Sequence, residues 1–286
     1  MKEMAMYLLL VAAAIFYAMQ FIFNQKFQQS KGTGVDATLL FQIVVSVVGG
    51  CLMLVLNRFH ISVTWFSGVM ALLYAVDIML YIYFSMKAFA NGNLSVYSIF
   101  AMLGGMILPF VYGTAFCHEG ITLPKIISCV FIAAALLLTF EKGNSKGKSI
   151  GRYLAVFIFN GMMGVLLKIH QSNEAQCTDS RSFLAIAYGF MLCIALAWYL
   201  KRNRKRIMMK PKEIVYSSCY AVCNGVAEMF CLIALTKLPA SVQFPIITGG
   251  VILFSTIVSA VTEKQRSVKS ICSAAIALLA TVIIIL

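Results

Sequence analysis

Residues 74–96 read YAVDIMLYIYFSMKAFANGNLSV, and residues 220–242 read YAVCNGVAEMFCLIALTKLPASV. The second stretch follows the first at an offset of 146 positions, with no gap. Seven of the 23 aligned positions are identical: Tyr74/Tyr220, Ala75/Ala221, Val76/Val222, Phe84/Phe230, Ala88/Ala234, Ser95/Ser241 and Val96/Val242. Apolar segments share a small alphabet, which inflates such a count. The ungapped register is therefore the stronger sign of a repeat. Working outward, Tyr7-Leu8 matches Tyr153-Leu154 at the same offset. After a slip of a residue or two, Gly104-Gly105 answers Gly249-Gly250 and Glu119 answers Glu263. The unit is about half the chain.

The repeat lies in sequence of membrane type. Hydrophobic residues make up 61% of the 286 and charged residues 12%, against roughly half and a quarter in a soluble domain. A hydrocarbon core of about 30 Å needs roughly 20 apolar residues as helix. Ten such runs are present: Met4–Phe23, Ala37–Leu56, Phe66–Phe89, Leu94–Phe116, Leu123–Phe140, Gly151–Leu167, Ser182–Leu200, Ile214–Thr236, Pro239–Val261 and Val268–Leu286. Lipid offers no partner to open backbone groups, so the runs are predicted as helices. They lack the alternating polar positions of a membrane barrel. The fold class expected is an all-α integral membrane protein: ten transmembrane helices as two inverted five-helix repeats. Residues 1–141 form the first unit, 151–286 the second and 142–150 a cytoplasmic linker. Inversion follows from arithmetic, since a unit of five spans returns the chain on the opposite side. Met4–Phe23 is too long for a signal core and stays as the first helix.

The net charge of +13 is sorted by side. Of 23 Lys and Arg, only Lys2, Arg58, Lys125, Lys168, Arg181 and Lys237 fall at one set of helix ends, and the other 17 at the opposite set. The positive-inside rule puts the 17 in the cytoplasm and both termini outside. The cluster Lys201–Lys212 reads as an anchor on anionic head groups. No aromatic residues interleave it, which argues against nucleic acid. Seven of nine cysteines lie inside spans as small apolar packing residues; Cys117 and Cys177 lie near loops, and their pairing is left open. His60, His118 and His170 read as scattered loop residues, so no metal site is expected, and no cofactor is called for.

A lysine closes the first helix of each unit, in Phe23-Asn24-Gln25-Lys26 and Leu166-Leu167-Lys168. A glutamate follows the fourth, in Cys117-His118-Glu119-Gly120 and Val261-Thr262-Glu263-Lys264. With the repeat and the length, these signatures give a chain that resembles the ten-helix EamA-type members of the drug/metabolite transporter superfamily. It departs from them between the second and third helices, where Arg58 and His60 replace the usual basic stretch. The resemblance implies a central cavity lined by helices 1–4 and 6–9, peripheral helices 5 and 10, and the bacterial inner (plasma) membrane as location. Independently, Gly104, Gly105 and Pro109 in the fourth helix match Pro245, Gly249 and Gly250 in the ninth. Matched interruptions of this kind point to a transporter's binding site, and close helix packing is the alternative reading.

Asp77 and Glu228 lie within the third and eighth helices. A carboxylate at the bilayer centre costs about 2.5–3.5 kcal/mol on insertion scales, so it usually faces a cavity. At helical spacing Asp77 shares a face with Tyr74, Tyr81 and Ser85, and Glu228 with Tyr220, Asn224 and Cys231. A desolvated carboxyl that holds a proton can exchange it for a cation, hence protons are the expected coupling ion. Tyr97, Asn160, Gln243 and Thr248 are further polar groups that could orient a ligand or bond to a neighbouring helix. Lys26 and Lys168 are expected to snorkel, and Glu119 and Glu263 to order turns.

The function expected is secondary active transport of a small metabolite or drug-like solute by alternating access. Coupling is to protons, export is favoured over uptake, and the substrate leans cationic or zwitterionic. The partners are that substrate and the lipid bilayer, with a homodimer left open and no nucleic acid. The rivals are a membrane-embedded enzyme acting on a lipid or peptide, and a channel. An aspartyl protease lacks its second deep aspartate, because Asp36 and Asp179 read as loop residues. No Walker-type loop occurs, and no filter-like run.

Overall fold

The protein is described from a computed structural model covering residues 2–89, 94–138, 150–202, 208–262 and 268–285. Ten helices follow one another: α1 Lys2–Lys31, α2 Val35–Leu56, α3 Trp65–Phe89, α4 Leu94–Phe116, α5 Leu123–Leu138, α6 Ile150–Ser172, α7 Ser180–Arg202, α8 Pro211–Leu235, α9 Ala240–Thr262 and α10 Val268–Ile285. Eight are long and apolar enough to cross a membrane; the described parts of α5 and α10 are shorter. With 16 residues, α5 extends about 24 Å at 1.5 Å per residue.

Eight helices close a ring through their largest contacts, in the order α1, α8, α2, α7, α3, α6, α4, α9 and back to α1. The remaining two pack on each other and against α9 outside that ring, with a lighter contact between α5 and α4. Exchanging α1–α5 for α6–α10 maps the ring onto itself: α1 on α8 becomes α6 on α3, and α1 on α9 becomes α6 on α4.

Close approach at two of these crossings depends on glycine. A Cβ on Gly104 would run into the Phe157 carbonyl of α6, and one on Gly161 would meet the Gly104 carbonyl at 2.5 Å. On the other side a Cβ on Gly250 would come within 2.7 Å of the Ala14 Cβ. The expected interruptions of the fourth and ninth helices are thus corrected. Both helices run unbroken, with Pro109 and Pro245 inside them, and their glycines serve close packing.

The linkers alternate between two ends of the bundle. At one end the α2–α3 and α6–α7 linkers meet, Ser62 Oγ donating to Asp179 Oδ2 at 3.1 Å and Asn57 Nδ2 to Ser182 Oγ at 3.0 Å. At the other, Arg202 Nε donates to Asp36 Oδ1 at 2.9 Å and Lys31 Nζ stands 3.4 Å from Glu213 Oε2. Several residues read as lying in loops or at helix ends fall inside helices. Asp36 opens α2, Lys26 and Lys31 belong to α1, and Lys168 and His170 belong to α6. The helices outrun their apolar cores because polar and basic residues still favour helix once a neighbour packs on them. Residues 142–149, part of the Lys201–Lys212 cluster (203–207) and Glu263 lie outside the described residues.

Candidate functional site

One polar cluster of the ring centres on Glu228. Asn224, one turn before it on α8, donates Nδ2 to Glu228 Oε1 at 3.0 Å and stands 3.3 Å from the Tyr188 hydroxyl of α7. The Tyr74 hydroxyl of α3 reaches the same carboxyl, and Tyr17 of α1 and Tyr220 of α8 lie within its electrostatic range. Glu228, Tyr74 and Tyr188 are buried. Four tyrosines from four helices therefore surround one carboxyl. Ring faces attract cations and hydroxyls stabilise either protonation state.

Asp77, one turn after Tyr74, is also buried, and Tyr74 feels both acids. Asp77 Oδ2 has no hydrogen-bond partner among the described residues. Nor do Gln20 Oε1 of α1, Gln42 Nε2 and Ser46 Oγ of α2, or Gln243 Oε1 of α9. Buried polar atoms in a folded protein are ordinarily paired, and each orphan needs a reason. Five such orphans lie on four helices of the ring.

The remaining expected residues divide. The Tyr81 and Tyr97 hydroxyls are 2.9 Å apart, and Tyr97 donates to Ser85 Oγ at 3.2 Å, forming a second hydroxyl cluster beyond Asp77 on α3. Gln243 donates Nε2 to the Cys231 carbonyl at 2.9 Å, which ties α9 to α8. Asn160 donates Nδ2 to the Ala101 carbonyl at 2.6 Å, beside Gly105, so it fastens α6 to α4. Of the six Gly and Pro positions, Gly104, Gly105, Gly249 and Gly250 meet neighbouring helices directly, and Pro109 packs on Gly164.

Sequence reasoning passed over Tyr17, Gln20, Gln42, Ser46 and Tyr188. A signal existed for α1, where Tyr17, Gln20 and Asn24 fall on one helical face. Tyr188 had none, since nothing polar in α7 marks its turn.

Two further polar clusters tie the halves together. Glu119, in the α4–α5 linker, accepts the backbone N–H groups of Ala240 and Ser241 at 2.8 Å each, the first turn of α9. Lys168 Nζ stands 2.8 Å from its Oε1. Burial pushes this carboxyl up, but the bonds from Lys168, Ser241 and Ala240 outweigh burial and hold it below the ordinary glutamate value. Lys168 is thus an ion-pair partner rather than a snorkelling end, and Glu119 caps a helix of the other half. Second, His170 is fully buried, with Nε2 2.9 Å from Ser67 Oγ. Ser67 Oγ also accepts the Thr178 N–H at 2.9 Å, while His170 Nδ1 has no partner among the described residues. A nucleophilic serine would need a free oxygen and a base oriented by a third group; this pair anchors a linker instead. Cys117 and Cys177 are both free thiols.

No protein-family model and no curated protein sequence matches this chain. Solved structures do match, 28 chains in all, so other proteins adopt this fold. One, described only as "Crystal structure of protein", superposes with a TM-score of 0.80 at 12% identity, covering 98% of this chain and 96% of that one. At that identity the likeness carries the fold and nothing of the chemistry.

Proposed function

We propose that the chain is a secondary active transporter of a small cationic or zwitterionic solute. It works by alternating access between two inverted five-helix halves, coupled to protons and directed to export. The observation that carries this reading is the Glu228 carboxyl, buried inside a closed ring of eight helices among four tyrosines, with Lys and Arg absent from the described contacts around it. A buried charge is ordinarily paired. Here the position of the counter-ion is open to a proton or a substrate cation in turn, and two such occupants competing for one carboxyl is the simplest form of exchange. The orphaned polar atoms of Asp77, Gln20, Gln42, Ser46 and Gln243 add hydrogen-bonding capacity for a polar guest.

The inverted halves are supported by the exchange of helix pairings and by the alternation of linkers between the two ends. The resemblance to EamA-type members of the drug/metabolite transporter superfamily, a bacterial inner membrane and external termini belong to the same reading.

Transport in proteoliposomes under an imposed pH gradient tests it. Glu228→Gln and Asp77→Asn are each measured at several pH values. At least one loses proton-driven flux and its pH dependence, with substrate affinity reduced roughly 10- to 100-fold, as expected for losing a charge-assisted contact. Unchanged rates and pH profiles in both variants would falsify the coupling role. Counterflow of labelled against unlabelled solute separates this carrier from a channel.

A further inference from the structure

The α2–α3 linker turns its apolar side chains outward and its polar ones inward. Residues 59–65 read FHISVTW and hold no Lys, Arg, Asp or Glu. Phe59 is 74% exposed, Ile61 44%, Val63 64% and Trp65 88%. Ser62 donates Oγ to Asp179 Oδ2 and its N–H to Ser182 Oγ, each at 3.1 Å. Thr64 donates Oγ1 to the Gln176 carbonyl at 2.5 Å and accepts the Ser67 N–H at 3.1 Å, capping α3. The polar side is thus engaged with the other half of the chain, and the apolar side is left outermost.

The exit from α2 sets this face outward. Arg58 and Phe59 have left-handed backbone, with φ 53° and 58°, which residues with a Cβ seldom adopt. The Phe59 N–H closes onto the Leu54 carbonyl at 2.8 Å and the Arg58 N–H onto the Val55 carbonyl at 3.0 Å. An apolar residue after such a helix end commonly packs back on the helix; Phe59 is instead largely exposed. From there the linker runs along the flank of α7. Ser182 is fully buried beneath it, yet Gly189 and Cys193 of the same helix are exposed. They follow Ser182 by seven and eleven residues, which at about 100° per residue puts them within about 20° of it around the helix. The linker therefore covers the outward side of α7 rather than its tip.

That side continues the lipid-facing surface. Trp65 heads the exposed apolar stripe Val69, Leu72 and Val76 of α3, and Phe59 follows the exposed stripe Val47, Cys51 and Val55 of α2. Both helices are long and apolar enough to cross a membrane. We propose that the α2–α3 linker is a membrane strap, its outward row of Phe59, Ile61, Val63 and Trp65 docked in the interfacial layer of the bilayer. Aromatic rings flanking aliphatic side chains at the end of a span suit that layer. Continuity with the two lipid-facing stripes selects it over a protein partner. With lipid on one side and Gln176, Asp179 and Ser182 on the other, the strap holds the joint between the halves at the membrane surface. Its docking needs only that the helices span a bilayer, and stands apart from the transport reading.

Bimane fluorescence in vesicles tests it. Ile61→Cys, Val63→Cys and Glu174→Cys, the last as an exposed aqueous reference at the same end, are made in a full-length chain cleared of native cysteines. Each is labelled and reconstituted in phosphatidylcholine, part of it brominated high on its acyl chains. The labels at positions 61 and 63 emit to the blue of the reference. Bromolipid quenches them roughly threefold or more above it, and iodide correspondingly less. Trp65, made the single tryptophan by Trp198→Phe with the native cysteines kept, behaves as they do. Ile61 and Val63 are exposed, so their replacement spares the fold, and the melting temperature checks each variant. Iodide quenching at positions 61 and 63 equal to the reference overturns the proposal. So does protection of both labels from iodide and bromolipid alike, which would put a second copy of the chain or another protein on the row.

Discussion

Ser67 and Glu213 stand 146 positions apart, the offset of the sequence repeat, and each is the third residue of its helix. Both are buried where that helix meets the far end of a helix from the other half. Ser67 of α3 meets His170 of α6 at 2.9 Å, at one end of the bundle. Glu213 of α8 meets Ser30 at 3.1 Å and Lys31 at 3.4 Å on α1, at the other end. The neighbouring junction repeats the lesson, because Asp36 pairs with Arg202 where its register mate Ser182 accepts a hydrogen bond from Asn57. One scaffold joint is thus built twice, ionic where α8 meets α1 and neutral where α3 meets α6. The second end has its ion pair at Lys168 and Glu119 instead. The arrangement of helices is shared while the chemistry of the two joints differs.

The comparison can be broken in order of size. Glu213→Ala has the largest effect, because it leaves Ser30 and the Lys210 N–H without their acceptor and Lys31 without its counter-ion. A loss of about 3 kcal/mol is expected, read as a lowered unfolding midpoint of the detergent-solubilised protein. Glu119→Gln comes next, at about 2 kcal/mol, and it carries a pH signature. The folded carboxyl lies below the ordinary glutamate value. Its stabilisation is therefore full at neutral pH and is lost as pH falls below about 4.3 through the folded value. The gap between wild type and Glu119→Gln should close in acid; a constant gap would mean that the ion pair and helix cap contribute nothing. Ser67→Ala, at the neutral joint, costs about 1 kcal/mol, with no salt dependence. If it equalled Glu213→Ala, the contrast between the ends would be without energetic content. Gly189→Ala is smallest, since a Cβ there meets nothing within 4 Å and alanine favours helix by under about 1 kcal/mol. A slight rise in melting temperature is expected.

The sequence carried the helices well, because a run of apolar residues long enough to span lipid leaves few alternatives. It also carried the two intramembrane acids, whose cost in lipid makes them conspicuous. Element ends were less legible. Lys31 and His170 look like loop residues until the helices that cover them are known, and the reach of α1 and α6 depends on contacts with α8 and α3. The site was half legible for a related reason. Tyr74, Asn224 and Glu228 stand on readable stripes of their own helices, whereas Tyr17 and Tyr188 join them only through ring closure. The glycines of α4 and α9 show the limit plainly. A Gly-Gly pair next to a proline reads equally as a break or as a tight crossing, and only the facing Phe157 and Ala14 decide for the crossing.

The most direct test asks whether the two halves run in opposite directions. His60→Cys and Met208→Cys, each in a chain cleared of its native cysteines, are labelled in intact cells with a membrane-impermeant maleimide. The account predicts that one position reacts from outside and the other only after the membrane is permeabilised. Reaction of both from the same side would contradict it.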